Sequence, residues 1–155
     1  MKSRDVLAMV IGDGCFAVDI LRVKEVIRPL AIAPLPSAPE LVEGIIELRG
    51  AVMPVVDLRR RFAVHRNAAG APRAARFVIL GVAGRVIACV VDGVLGVFHL
   101  DAADIRAPDA VGPLPARELL FGVTTIDGKI CLVIDPDALL SADETRAIAR
   151  LEDPA

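Results

Sequence analysis

"GIIELRGAVMPVVDLRRRF" (residues 44–62) lies without a gap over "GVTTIDGKICLVIDPDALL" (residues 122–140). Gly44 meets Gly122, Gly50 meets Gly128, Val55 meets Val133 and Asp57 meets Asp135, with apolar pairs at Ile45/Val123, Leu48/Ile126, Val52/Ile130, Val56/Ile134 and Phe62/Leu140. Upstream, "AVDILRVKEVI" (17–27) lies over "ACVVDGVLGVF" (88–98), joining Ala17, Val23 and Val26 to Ala88, Val94 and Val97. Both matches keep the same order at nearly equal offsets, which marks an internal duplication with halves of about 5–64 and 75–140.

The repeated runs are short, rich in Val and Ile, and closed by Gly, Asp or Pro, the punctuation of strands. Candidate strands are 5–11, 15–20, 23–28, 44–48, 51–57, 75–82, 85–91, 93–99, 119–126 and 129–134. About five strands per half are enough to close a small barrel, either alone or with strands exchanged between the two, and closure removes exposed edges. "GDG" (12–14) and "AG" (83–84) are spaced as hairpin turns. Helix is scarce. Ser37 with Glu40 three positions on can open one, "DLRRRF" can make a turn after Asp57, and "SADETRAIARLEDP" is capped by Ser141 with Glu144 in place, giving a helix and tail over 141–155. "HRNAAGAPRAA" (65–75) has no periodicity and is expected to be a mobile linker.

Composition narrows the function. The 155 residues are 55% hydrophobic, with five Phe and no Trp or Tyr, so the core is aliphatic and base stacking has no platform. A net charge of −2 with scattered basic residues offers no nucleic-acid footprint. The N-terminal apolar stretch is broken by Gly12 and Asp13, so a signal peptide is not expected, and no run reaches membrane-spanning length. The expectation is a cytoplasmic protein without direct membrane insertion, whose partner is a protein or a small molecule. Cys15, Cys89 and Cys131 sit singly in apolar runs without a CxxC pair, and are expected to be buried free thiols.

Catalysis finds no credible set of residues. One aspartate per half, Asp57 and Asp135, suggests an aspartic-type hydrolase, but "VVDLRR" and "VIDPDA" lack the hydroxyl residue and glycine such a dyad needs. Each Asp instead suits a strand end that caps the following turn. His65 and His99 have no ligand-spaced neighbours, so no metal or other cofactor is expected. "RRR" (59–61) fits a solvated face better than an anion patch. The four prolines of "IRPLAIAPLPSAPE" (27–40) leave apolar side chains that either pack on the barrel or meet a partner.

Arg49 stands apart because its counterpart is Asp127, an ordinary turn residue. A planar fork of donors there suits a carboxylate or backbone carbonyls of another chain. Glu25, with Gly96 as its counterpart, is the other charge inside an apolar strand pattern, so an internal Arg49 to Glu25 pair is equally open.

Together, "AVDILRVKEVI", "PLPSAPELVEGIIELRGAVMPVVDLRRRF", "VIACVVDGVLGV" and "LVIDPDALL" resemble the chemotaxis coupling protein family CheW over residues 5–140. The resemblance implies two pseudo-symmetric, SH3-like five-stranded β-barrels and no catalytic activity. It implies an adaptor between the cytoplasmic tip of a transmembrane chemoreceptor (a methyl-accepting chemotaxis protein) and the regulatory domain of the histidine kinase CheA, in arrays at the inner membrane. A non-flagellar chemosensory pathway such as pilus motility is an alternative setting. Receptor-binding positions carried over are Val23, Glu25, Arg49, Val94 and Val97; kinase contact is assigned to Ile27, Ile32 and Leu35. Glu47 departs from the family pattern, where Asn is common before "LRG".

Overall fold

The computed structural model describes residues 3–62, 74–111 and 116–152. Ten strands form: β1 (Arg4–Ile11), β2 (Gly14–Asp19), β3 (Val23–Ile27), β4 (Val42–Leu48), β5 (Ala51–Asp57), β6 (Arg76–Val82), β7 (Arg85–Val91), β8 (Gly93–Leu100), β9 (Leu120–Ile126) and β10 (Lys129–Ile134). Among the described residues, helices are confined to α1 (Leu58–Arg61), α2 (Ala142–Glu152) and short 3₁₀ turns. The strands fall within two residues of the sequence-based spans. The linker expected at 65–75 lies mostly outside the described residues, as does His65.

No helix starts at Ser37. Its φ of 75° places it in the left-handed region, whereas an N-cap is extended, and Pro39 disfavours a helical Ala38. Ser141 does cap α2, accepting from the Glu144 amide at 3.1 Å while Glu144 Oε1 accepts from the Ser141 amide at 2.8 Å.

The strands assemble into two five-stranded sheets, ordered β8-β1-β2-β10-β9 and β3-β6-β7-β5-β4. Advancing every strand of the first by five positions reproduces the second, so the duplication is expressed as reciprocal exchange. Each sheet mixes strands from both sides of the 65–75 linker. The boundary of the sequence repeat near residues 64–75 is therefore not the boundary between the sheets. Two of the pairs that join the two sides of the linker are parallel and short, Cys131–Val133 on Cys15–Ala17 and Val55–Asp57 on Ala88–Val90; the other two, β1 with β8 and β3 with β6, are antiparallel, as are the pairs within each side.

Three hydrophobic clusters explain the continuous apolar runs. All five strands of the first sheet feed one cluster, including Val6, Ala17, Leu100, Ile126 and Val133, so the sheet is curled around it. The second sheet does the same around Ile46, Met53, Val55, Phe77, Ile79 and Ala88. The alternate residues of β1, β2, β6 and β7, among them Leu7, Met9, Phe16, Val78, Leu80 and Ile87, meet in a larger cluster between the sheets. Ile148 of α2 and Phe62 also enter it, with the Phe16 and Phe62 rings 4.7 Å apart. Strands buried on both faces lose the apolar–polar alternation of a half-exposed strand.

The recurring glycines have a steric cause. Residues 32–33 cross β4, where Ala33 bridges Ile45 through two 2.9 Å backbone bonds; residues 105–106 cross β9, where Arg106 bridges Val123 at 2.8 Å. A Cβ on Gly44 would sit 2.3 Å from the Ala33 carbonyl oxygen, and one on Gly122 would sit 2.5 Å from that of Arg106.

Where the chain passes between sheets, two ion pairs of opposite polarity hold the crossing. Before β8, Asp92 accepts from Arg59 of α1 at 3.3 Å and from the Gly12 amide at 2.7 Å. Before β3, Arg22 makes a two-pronged bond to Asp137 at 2.7 and 2.5 Å, and Asp137 also accepts from the Ala83 amide at 3.4 Å. The repeat aligns Arg59 with Asp137 and Gly12 with Ala83, so the same connection is built with the charges exchanged.

Two stability measurements test this account. Gly122→Ala is expected to cost about 1–3 kcal/mol in denaturant unfolding, since backbone must move; an unchanged midpoint overturns the crossing argument. Asp92 and Arg59 are 15% and 19% exposed, against 52% and 38% for Asp137 and Arg22. Asp92→Ala should therefore cost about 2–3 kcal/mol and Asp137→Ala no more than about 1 kcal/mol.

Candidate functional site

The edge strands β3 and β8 occupy equivalent places in their sheets. Each is bulged at the equivalent residue: the β3 register skips Lys24 and the β8 register skips Leu95. A bulge on an edge re-aims side chains and blocks further strand pairing. Val23 and Val94 turn inward and pack on the cluster between the sheets. Val97 points outward, 57% exposed, beside exposed Leu95, and its counterpart Val26 is exposed on β3.

Arg49 and Gly50 form the two-residue turn between β4 and β5, with φ of 51° and 85°; Asp127 and Gly128 repeat it at 49° and 78°. Positive φ at both central residues is the geometry a right-twisted hairpin favours, and Asn, Asp or Gly normally occupies its first position. Arginine is a costly choice there on backbone grounds. Its side chain reaches Glu25 on β3: Nη1 donates to Oε2 at 2.7 Å and Nη2 donates to Oε1. Since β3 and β4 are the two outer strands of one sheet, this bidentate pair joins the sheet's two edges across the opening of its curl. The other sheet has Gly96 and Asp127 at these positions and lacks the clasp.

The bond to the Arg49 guanidinium holds the Glu25 carboxyl below the usual carboxylate range, against a smaller opposing effect of desolvation, and raises the Arg49 pKa in turn. Arg49 is 68% exposed and Glu25 33% exposed. Exposed ion pairs contribute little to stability, so the pair fixes two charged groups in one geometry without carrying the fold.

Of the positions assigned to the kinase, Ile27 packs into the core of its own sheet. Ile32 is 37% exposed and Leu35 half-buried; the Ile32 side chain lies over Gly44. Leu30 is exposed on the same proline-rich segment.

The remaining candidates have structural roles. Asp57 accepts from the Arg59 amide and Asp135 from the Asp137 amide, each capping the turn after its strand. Asp57 is buried against the Arg59 guanidinium, at 3.0 Å through both oxygens. Arg60 bonds Glu43 and the Glu40 carbonyl, and Arg61 pairs with Glu144 of α2, so the three arginines are each neutralised. His99 lies between Asp5 at 2.8 Å and Asp101 at 3.1 Å, and these carboxylates raise its pKa. Among the described residues no three His, Cys, Asp or Glu side chains gather as metal ligands, and no helix is long and apolar enough to cross a membrane.

Sequence reasoning left an internal Arg49–Glu25 pair open beside a partner-facing role, and the structure forms that pair. It missed that the pair spans the sheet opening, and it missed the exposed Leu95 and Val52 (55% exposed) nearby in sequence. The aligned apolar pair Val52/Ile130 gave no sign of this, since it looks like the buried pairs Val55/Val133 and Val56/Ile134, yet Ile130 is exposed too, at 70%.

The comparisons with known proteins agree with one another. The CheW-like domain family matches residues 5–144. The chain is 30% identical to the chemotaxis protein CheW of Rhizobium meliloti, over 94% of this chain and 92% of that protein. It is 37% identical to the protein FrzA of Myxococcus xanthus, over 90% and 87%. The crystal structure of the scaffolding protein TtCheW from Thermoanaerobacter tengcongensis superposes with a TM-score of 0.81 at 27% identity, covering 93% of this chain and 92% of that one.

Glu25 supplies a pH test of the clasp. Its folded pKa is depressed, so the pair's contribution is complete above the ordinary carboxylate pKa and is lost as pH falls through the folded value. In Arg49→Ala, carboxyl-detected NMR should show Glu25 titrating at higher pH, while the neutral-pH melting temperature moves by less than about 2 °C. A Glu25 titration unmoved by the substitution would show that the two groups do not pair in solution.

Proposed function

The chain belongs to the CheW-like domain family, as a non-catalytic adaptor that links chemoreceptors to the kinase CheA in chemotaxis signalling, and on that premise we propose how it divides its surface between them. The receptor's cytoplasmic tip docks on the face carrying Arg49 and Glu25, with exposed Val97 as an apolar contact and the inward-packed Val23 and Val94 fixing the edge strands that present it. The observation that supports this is the bidentate Arg49–Glu25 pair: an arginine in a strained turn position, oriented by a carboxylate, exposed, and absent from the equivalent half. An oriented guanidinium can offer its remaining N–H donors to a helical hairpin without losing further rotamer freedom.

The regulatory domain of CheA meets a separate surface, the segment from Ile27 to Leu35. Ile32 and Leu30 are its exposed apolar contacts, while inward-facing Ile27 shapes the strand that presents them. Two surfaces on one rigid double sheet let both partners be held at once. The protein works in the cytoplasm, in receptor arrays at the inner membrane.

Pulldown with a receptor cytoplasmic fragment tests the assignment. Arg49→Ala and Glu25→Ala should each weaken capture by about tenfold, with folded protein and CheA binding retained; Ile32→Asp should do the reverse. The double variant Glu25→Arg with Arg49→Glu rebuilds the clasp with its charges exchanged. Continued loss of receptor capture in that variant supports a partner that reads the arginine, and full recovery reduces the pair to an internal brace.

A further inference from the structure

Cys15 and Cys131 are far apart in the chain, but β2 and β10 place them directly opposite one another as the first pair of a three-residue parallel seam. Their Sγ atoms are 2.9 Å apart, and both side chains join the cluster inside the curled sheet. Residues paired across neighbouring strands have Cα atoms within the range a disulfide spans, and here the two sulfurs already face each other. Access is unequal: Cys131 is fully buried, whereas Cys15 is partly exposed and sits one residue from the β1–β2 turn. We propose that Cys15 and Cys131 are an oxidation-responsive thiol pair that closes to a disulfide under peroxide and pins β2 to β10.

The chemistry begins at the exposed thiol. The Cys15 thiolate attacks peroxide, the O–O bond breaks, and one oxygen leaves as water after protonation while the other remains as a sulfenic acid. The Cys131 sulfur then attacks the Cys15 sulfur; the S–O bond breaks and the second oxygen leaves as water, carrying the Cys131 proton. In sum, two thiols lose two electrons and two protons, and one peroxide becomes two waters. Burial and the neighbouring Cys15 raise the Cys131 pKa, so Cys131 acts as the resolving partner rather than the initial nucleophile.

Position gives the bond its consequence. β2 arrives from the first half of the chain and β10 from the second, and only residues 15–17 and 131–133 hold them together. The seam of the other sheet carries Val55–Ala88, Val56–Cys89 and Asp57–Val90, with no thiol pair. The third thiol, Cys89, is fully buried with its pKa pushed up to about 12 by desolvation, and serves as an internal control.

The full chain, reduced and then exposed to hydrogen peroxide, should fall from three free thiols to one when counted in denaturant. Peptide mapping should find the residue 15 and 131 peptides joined, dithiothreitol should restore all three thiols, and the oxidised form should melt at a higher temperature. Cys131→Ser should leave a Cys15 sulfenic acid that dimedone traps. The proposal is overturned if Cys15 proceeds to sulfinic acid while Cys131 stays free, if it links to a second chain instead, or if Cys89 is consumed first. Mapping of the unsubstituted chain decides the matter even if the serine variant does not fold.

Discussion

Each sheet has two apolar faces to hide and can cover only one of them by curling on itself. The second face must be buried against another sheet, and the cluster containing Leu7, Met9, Phe16, Val78, Leu80 and Ile87 does this. Much of the architecture follows from that requirement. The central hairpins β1–β2 and β6–β7 are buried on both sides, which leaves the bulged strands β3 and β8 at the edges. Because β2 and β7 continue into edge strands of the opposite sheet, the chain crosses the shared core twice, and neither half of the sequence can complete a sheet without the other.

Those crossings are where the two copies of the repeat have diverged without losing their connection. Asp92 with Arg59 and Arg22 with Asp137 do the same work from opposite sides of the charge exchange, and each carboxylate also accepts an amide from a hairpin turn. Attraction is indifferent to which element carries which sign, so a reversed pair costs the fold nothing. Burial is less symmetric. The Asp92 connection lies close to Asp57 and its cap, inside the seam between α1 and β7, and the Asp137 connection lies in solvent.

This reciprocity governs what the sequence could disclose. Strand positions were legible because Val- and Ile-rich runs closed by Gly and Asp report local geometry, and the repeat was legible because glycines and aspartates recur at a fixed offset. The reason Gly44 and Gly122 recur was not, since it is the close passage of backbone that lies some distance earlier in the chain. Strand exchange was open as an option, but which strands exchange was hidden: a strand buried on two faces shows no alternation from which to infer its neighbours. The helix expected from Ser37 failed because a capping pattern read from residue types carries no information on φ, and Ser37 is left-handed. At the candidate site, Glu25 and Arg49 were visible as charges out of place and their pairing was one of two open readings; that the pair spans the sheet opening is a product of curvature.

The proposed role of Arg49 draws its support from a comparison with an internal control. Asp127 occupies the same turn with the same backbone torsions, and an acid there satisfies the conformational preference that an arginine violates. If closure of the sheet were the only requirement, the second sheet would need it as well, yet Gly96 leaves that sheet without a clasp and it remains curled around its core. The pair is therefore surplus to folding. What it adds is an exposed guanidinium of fixed orientation, held by a carboxylate that stays ionised below the usual carboxylate range. A side chain placed against its backbone preference, and not needed by its structural twin, is most simply explained by the surface it presents.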